Sequence, residues 1–415
     1  MVRFHEGRFR WPVALVLATL LAACSQAPYR HGALDDVRFE ERAEAQQSGR
    51  FEVRASVPGA EESIAYFGID LYSRDVQPVW VELTNRSDAR ARVVVSSVDP
   101  KYYPPAEVAW FFKKEFSKEG WMALEERLID LSLPRQVAAG ETVSGFVFTN
   151  REPGTKAFNL DVYGVATPPA FEEFTFFLTV PGFVPDYANV RFRELYAEDE
   201  RVDLAMGEVR ETLGGMDCCT TDRQGTGRGR PVNLFFVADP LDLLRTLLRA
   251  GWSEADYERN EAYLQTAHFL YGRPADGLFR KARDASTDRA ELSVWRTPLS
   301  VEGIPVWAAQ VRHAIGRRFP LGERLFGTRM DPDVTDGRNY LVQNLWYAQA
   351  VAQWGLVPGN AAAPEDDPAL DFLGNPWFVR DDQRAVMWIS DEPVSMVETR
   401  LVQWPASEGA GEGNR

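Results

Sequence analysis

Cysteine and histidine are scarce in this chain: three and four among 415 residues. No Cys-x-x-Cys occurs, which excludes a zinc ribbon and a thioredoxin-like redox motif. Neither His-Glu-x-x-His nor Gly-x-Ser-x-Gly is present, so a zincin helix and a nucleophile elbow are excluded as well. Positive charge is also short, with 46 Lys and Arg against 61 Asp and Glu and a formal net charge of -15. Such a polyanion repels polyanions, and no nucleic-acid partner is expected. Beyond residue 23 no apolar run reaches the roughly 18 residues that would span a bilayer. Gly225-Thr226-Gly227-Arg228-Gly229 precedes a strand-like run, whereas a phosphate-binding loop follows one. It reads as a turn, and no cofactor is expected.

What the chain does have begins at its start. Arg3, Arg8 and Arg10 precede the apolar run Trp11–Ala23, which closes on Leu21-Ala22-Ala23-Cys24. A basic segment, a short apolar segment and small residues before a cut make residues 1–23 a secretory signal peptide. With cysteine directly after the cut, this stretch resembles the lipobox of bacterial lipoproteins. The resemblance implies diacylation of Cys24, cleavage before it and acylation of the freed amine. It also implies outer-membrane sorting, because Ser25 and not Asp follows the cysteine. Stable anchoring needs about two lipid signals, and three acyl chains exceed that. The expected partner at this end is therefore a membrane, held through the lipid. The other cysteines, Cys218 and Cys219, are adjacent. A disulfide between neighbours closes a small strained ring, so two separate thiols are the expectation there.

Residues 24–49 are polar and charged and read as a tether, with a coil reach of about 25–30 Å. From Phe51 the pattern alternates with period two. Phe51–Val57, Val79–Leu83, Arg92–Val95, Val143–Phe148, Phe158–Tyr163 and Phe174–Val180 read as strands separated by turn clusters such as Asn85-Arg86-Ser87-Asp88. About seven short strands over residues 50–185 predict an immunoglobulin-like antiparallel β-sandwich. Between Glu107 and Leu131 the apolar residues fall at helical spacing, predicting a helical insertion.

Residues 186–210 read as a charged connector and 211–405 as a second domain. Val232–Val237 has the continuous apolar character of a buried central strand. Asp239-Pro240 opens a helix that Gly251 ends, and Glu261–Tyr271 suggests another. Leu292–Trp295 and Val306–Val311 flank Glu302-Gly303 as a hairpin. Val334 to Ala352 carries the stripe of a long helix ended near Gly355, and Val386–Ile389 is a closing strand. Strands and helices do not alternate strictly, so the second domain is α+β with a mainly antiparallel sheet. Residues 406–415, rich in Gly and Glu, read as a disordered tail.

Several blocks of this second half resemble one family. Pro231-Val232-Asn233-Leu234 through Trp252, Tyr271-Gly272-Arg273-Pro274-Ala275-Asp276, Pro305-Val306-Trp307, Asp331-Pro332-Asp333-Val334 and Leu373-Gly374-Asn375-Pro376 follow the order seen in the LssY C-terminal domain family. The resemblance covers roughly residues 213–404. It implies a bacterial envelope setting, in proteins sometimes fused to membrane phosphatase-like or DedA-like regions. It implies no catalytic residues. His313 and Arg329 stand where the resemblance leads one to expect Asp and His.

Asp331-x-Asp333-x-x-Asp336-Gly337 superficially resembles a calcium loop, but loop position 5 is Thr335 and position 12 is Val342, so the EF-hand pattern fails. Asp331 as helix cap, with Pro332 in the first turn and Asp333 and Asp336 near the positive helix end, accounts for the acids. His268 and His313 are the histidines of the folded regions and read as structural. The leading expectation is a lipid-anchored, non-catalytic envelope lipoprotein that binds or scaffolds a protein, glycan or lipid at the periplasmic face of the outer membrane. The alternative is an enzyme on an envelope lipid or phosphate ester, with His313, Asp331, Asp333 and Asp336 converging in the fold.

Overall fold

The period-two segments of the first half pair into two antiparallel sheets. The computed structural model describes residues 27–32, 38–152, 154–165, 168–182, 190–192, 194–255, 261–282, 289–315, 329–390 and 393–404. The expected signal peptide 1–23, Cys24 and the expected tail 406–415 lie outside the described residues. The chain divides into two compact units, residues 1–152 with 158–182, and residues 153–157 with 183–415. Among the described residues no helix is long and apolar enough to cross a membrane.

In the first unit, among the described residues, eight strands run β1 (Glu44–Ser48), β2 (Phe51–Ser56), β3 (Val76–Asn85), β4 (Ala91–Val94), β5 (Gln136–Val137), β6 (Thr142–Asn150), β7 (Thr155–Gly164) and β8 (Ala170–Thr179). They form one sheet in the order β1-β2-β3-β6 and another in the order β5-β4-β7-β8. Val53, Val79, Val81 and Val147 of the first meet Val93, Leu160, Val162 and Phe176 of the second in one apolar core. That is the sandwich expected from the alternation.

The outer face of the first sheet is buried too. Trp80, Phe146 and Phe148 point away from the sandwich core into a second cluster with Phe39, Phe67, Leu124 and Leu128. Among the described residues, four α-helices belong to this unit: α1 (Ala60–Phe67), the short α2 (Val95–Val98), α3 (Pro105–Phe111) and α4 (Lys118–Asp130). The expected helical insertion is thus a hairpin, α3 and α4, broken at residues 112–117. Gly120, Leu124 and Leu128 recur every four residues and form the buried stripe of α4. Ser117 caps that helix, its side chain accepting from the Gly120 amide at 3.0 Å.

The tether expectation is corrected here. Glu44–Ser48 pairs antiparallel with Phe51–Ser56, and Phe39 is only 1 % exposed. Polar composition misled because an edge strand is held through its backbone, and one buried aromatic residue suffices to dock the turn before it.

The second unit is built on a ten-stranded sheet. The strands of the unit, among the described residues, are β9 (Val202–Leu204), β10 (Cys219–Thr221), β11 (Arg228–Pro231), β12 (Leu234–Val237), β13 (Ser253–Glu254), β14 (Phe269–Leu270), β15 (Arg273–Pro274), β16 (Gly277–Ala282), β17 (Arg289–Val301), β18 (Ile304–Ile315), β19 (Arg329–Met330), β20 (Val351–Pro358), β21 (Ala369–Leu370), β22 (Pro376–Trp377), β23 (Gln383–Ile389) and β24 (Arg400–Leu401); β11-β10-β14-β15 and β21-β22 form smaller sheets of their own. The main sheet runs β13-β16-β17-β18-β12-β23-β20-β24, with β9 on β17 and β19 on β18. Helices α5 (Val209–Gly215), α6 (Pro240–Arg249), α7 (Glu261–Thr266) and α8 (Val334–Tyr347) accompany it. Leu234 and Phe236 face a core shared with Leu243 and Leu247 of α6 and Leu341 and Leu345 of α8. Phe235 and Val237 face the opposite core, with Val209 and Leu213 of α5. Both faces of β12 are therefore covered, which is why its sequence is continuously apolar.

Four expectations shift. Residues 202–210 of the expected connector hold β9 and the start of α5 and belong to the second unit. The helix expected over Glu261–Tyr271 stops at Thr266, because Phe269–Leu270 pairs with Arg273–Pro274. Gly355 lies inside β20 and ends no helix; a Cβ there would come within 2.8 Å of the Trp404 ring. β23 is central, pairing parallel with β12 and antiparallel with β20.

Candidate functional site

Residue 313 and the acids of Asp331–Asp336 meet where β18 hands over to α8. β19 pairs with the end of β18, Ala314 opposite Met330, and the Asp331 amide donates to the His313 carbonyl at 2.8 Å. This carries the start of α8 back beside His313. Ligand atoms of His313, Asp331 and Asp336 all lie within 4.8 Å of one another. His313 and Asp331 are half-buried and Asp336 is exposed. The His313 ring stacks on Tyr340 at 6.5 Å with 12° between planes. One imidazole and two carboxylates are a donor set that suits a divalent transition metal.

Asp333, grouped with these residues from the sequence, does something else. Its side chain caps α8, accepting from the Thr335 amide at 3.0 Å and the Asp336 amide at 3.3 Å. Its other oxygen pairs with Arg380 at 2.6 Å. The cap is thus Asp333 and not Asp331. The register moves by two because Pro332 lies before the helix, where Asp331 instead holds the Asp333 amide at 3.0 Å. The backbone carbonyl of Asp331 accepts from Arg230 at 2.7 Å.

A cavity of about 560 Å³ lies elsewhere in this unit, and none of the three residues lines it. Val232, Phe235, Phe269, Leu270 and Leu299 make an apolar floor, and Thr212, Asp217, Asp222 and Arg223 give it a polar rim. Tyr271 also lines it. Tyr271-Gly272 is the two-residue loop between β14 and β15, with φ of 52° and 71°. Positive φ at both positions belongs to a type I′ turn, where Asn-Gly is the preferred pair. A tyrosine in that conformation is strained by roughly 1–3 kcal/mol. Its ring packs edge-on against Tyr196 at 6.2 Å, and burial pushes its hydroxyl pKa well up.

The cavity wall also includes Cys219. Cys218 and Cys219 are bonded to each other, which corrects the expectation of two separate thiols. They sit where the chain leaves α5 for β10, and Arg228 approaches both sulfurs, at 3.4 Å and 3.5 Å. Both side chains emerge on the side of that guanidinium, a placement that sequence adjacency alone does not reveal.

Buried arginines hold the surrounding loops. Arg384 donates to the carbonyls of Gly359, Leu213 and Met216, and burial pushes its pKa down to about 10. His268, expected as structural, is buried with its Nδ1 2.7 Å from the Thr220 hydroxyl. Burial, then Arg312 and Arg230, hold its pKa well below the usual histidine value. Sequence reasoning missed the cavity because its lining comes from four separate stretches, within 212–225, 232–235, 269–272 and 298–299. The one local signal was Tyr-Gly at a hairpin loop where Asn-Gly is the norm.

Residues 210–379 match the family model described as LssY C-terminus. The second unit thus carries an LssY C-terminal domain-like region, running from α5 to the segment beyond β22. No curated protein matches the chain.

Proposed function

We propose that the chain is a non-catalytic lipoprotein anchored through Cys24 at the periplasmic face of the bacterial outer membrane, whose second unit binds an envelope lipid in the cavity beside Tyr271. The observation that carries the reading is the Tyr271 backbone. A residue kept in a costly conformation that lines a cavity of ligand size argues for selection on what the cavity holds. The apolar floor suits an acyl segment, and the rim suits its hydroxyl, amide or ester head. Tyr271→Asn tests this, because Asn favours the turn while removing the ring. The melting temperature should stay equal or rise. The adduct with phosphatidylethanolamine or phosphatidylglycerol, read by native mass spectrometry, should fall about tenfold, a loss of ~1.4 kcal/mol. Equal adduct in both proteins would remove the cavity from the function.

A second reading, an enzyme on an envelope lipid or phosphate ester, is favoured by the convergence of His313, Asp331 and Asp336. It requires that zinc or manganese raise the melting temperature of the wild type and not of Asp336→Asn. A metal-independent melt in both would leave the binding reading alone.

A further inference from the structure

The start of the described chain is fastened to one end of the α3–α4 hairpin. Ala27 bridges Phe116 in parallel, and its carbonyl accepts from the Ser117 amide at 3.1 Å. The Tyr29 ring meets Phe116 edge-on at 5.7 Å, and its hydroxyl donates to the Phe67 carbonyl at 2.7 Å. Two glycines make room for this segment. A Cβ on Gly120 would lie 2.8 Å from the Tyr29 nitrogen, and one on Gly68 would lie 2.2 Å from the Arg30 carbonyl oxygen. Cys24 is three residues before Ala27, and three extended residues span at most about 10 Å.

The same end of the hairpin presents a surface of a particular chemistry. Trp110, at the end of α3, is 57 % exposed, and Met122, in the first turns of α4, is 53 % exposed. Trp110 meets Trp121 edge-on at 6.0 Å, and the Lys113 ammonium lies 3.9 Å from the Trp110 ring centre. Lys113, Lys114 and Lys118 are all exposed here. Between Trp110 and Met122 three lysines stand against two acids, Glu115 and Glu119, and Glu115 is paired with Arg74 at 2.6 Å. A locally basic, tryptophan-bearing edge stands out on a chain of net charge -15. Tryptophan and lysine are the side chains that settle at a membrane–water boundary, the ring among the headgroups and the ammonium reaching to water and phosphate.

We propose that this end of the hairpin, Trp110 with Lys113 and Met122, lies in the headgroup layer of the membrane that holds the Cys24 lipid. The inference rests on the lipid-anchor reading given above. Its occupant is a phospholipid surface, because the anchor's short reach keeps the edge at one. With Ala27 within about 10 Å of the lipid, the hairpin end it is fastened to sees a high effective concentration of lipid, so a weak intrinsic affinity is enough. The first unit would then stand on the bilayer in one orientation instead of swinging on a long tether.

The test uses the whole chain from Cys24 onward, made without lipid. Cys24 is its one unpaired cysteine, since Cys218 and Cys219 are bonded to each other, and it is coupled to a maleimide-headgroup lipid. The vesicles contain phosphatidylethanolamine, phosphatidylglycerol and phosphatidylcholine brominated in the acyl chains, which quenches tryptophan at the membrane. Brominated lipid should quench on the order of a tenth of the emission, the share of one interfacial ring among the tryptophans. Trp110→Phe, at an exposed position that spares the core, should abolish most of that quenching, and Lys113→Glu should weaken it. No quenching in the wild type, or quenching unchanged in Trp110→Phe, overturns the proposal. Palmitate-analogue labelling of wild type and Cys24→Ser in cells tests the anchor separately. Label without quenching keeps the anchor and removes the surface. Label absent from the wild type overturns the anchor, and with it the role of this surface in the cell.

Discussion

The two units bury different things. In the first, residues 1–152 with 158–182, both cores are apolar and the buried polar side chains are neutral ones such as Gln77, Asn85 and Thr149; the buried Lys156 of β7 falls in the segment 153–157 that is counted with the second unit. In the second, arginines go inside: Arg230 against Asp371 at 3.3 Å with both side chains 2 % exposed, Arg384 on three carbonyls, and Arg338 on Asp381 at 2.7 Å. The sandwich needs fewer such groups, because its strands satisfy one another's backbones and its two long connections, between β2 and β3 and between β4 and β5, carry helices that satisfy their own. The large sheet of the second unit carries long irregular connections over its faces. Their carbonyls need donors once they are covered, and a guanidinium with five N–H groups can serve several at once. Charge thus orders loops in the second unit, and loops build its cavity.

The sharpest way to break this contrast is Arg230→Met. It leaves Asp371 buried without its ion pair and should cost about 3–5 kcal/mol. Adding Asp371→Asn should recover part of that loss, as measured by denaturant unfolding. No loss in the single variant would mean that the buried pair is dispensable and the contrast decorative. Emptying the apolar cores comes next. Leu124→Ala in the first unit and Leu345→Ala in the second should each cost about 2–5 kcal/mol. Hydrogen exchange should localise each effect to its own unit; spreading across both would show that the units unfold as one.

The cap of α8 should give a smaller effect. Asp333→Ala is expected to lose roughly 0.5–2 kcal/mol and Asp333→Asn distinctly less. The reverse ranking would mean that the Arg380 pair, not the cap, is the stabilising contact. The smallest effects are in pH. His268 is kept neutral in the fold, whereas the unfolded chain takes a proton near pH 6.5. Stability of the second unit should therefore fall as pH drops below about 6.5, and His268→Gln should flatten that slope. In the first unit Glu62 is held below its ordinary value of 4.5, chiefly by its hydrogen bond from Arg42. Its contribution is complete above about pH 4.5 and is lost as pH falls through the lower folded value. Exchange measured at pH 5.5 should accordingly find the second unit already weakened and the first intact.

Much of this was legible in the chain because it is local. The β17–β18 hairpin announces itself through apolar strands around Glu302-Gly303, and both residues have positive φ, 50° and 82°. The buried β12 strand is visible as Val232–Val237. The start of α8 is visible to within two residues, since acids and a proline at a helix start act through neighbouring amides. The site was only half legible. His313, Asp331 and Asp336 could be named, but Asp333 could not be separated from them, because its diversion to Arg380 depends on a partner 47 residues away.

Composition and short-range pattern thus determined many of the elements: which stretches alternate and which spiral. Those follow from side-chain period and turn chemistry, which act over a few residues. Tertiary structure alone decided what the polar stretch before Phe51 does. It docks through backbone hydrogen bonds and the missing side chains of Gly68 and Gly120, features that leave no apolar trace. It also decided that β12 and β23 lie parallel at the centre of one sheet, that four separate stretches line a cavity, and that a strained tyrosine looks into it. Each of these depends on residues far apart in the chain, and their contact energies exist only once the chain has folded.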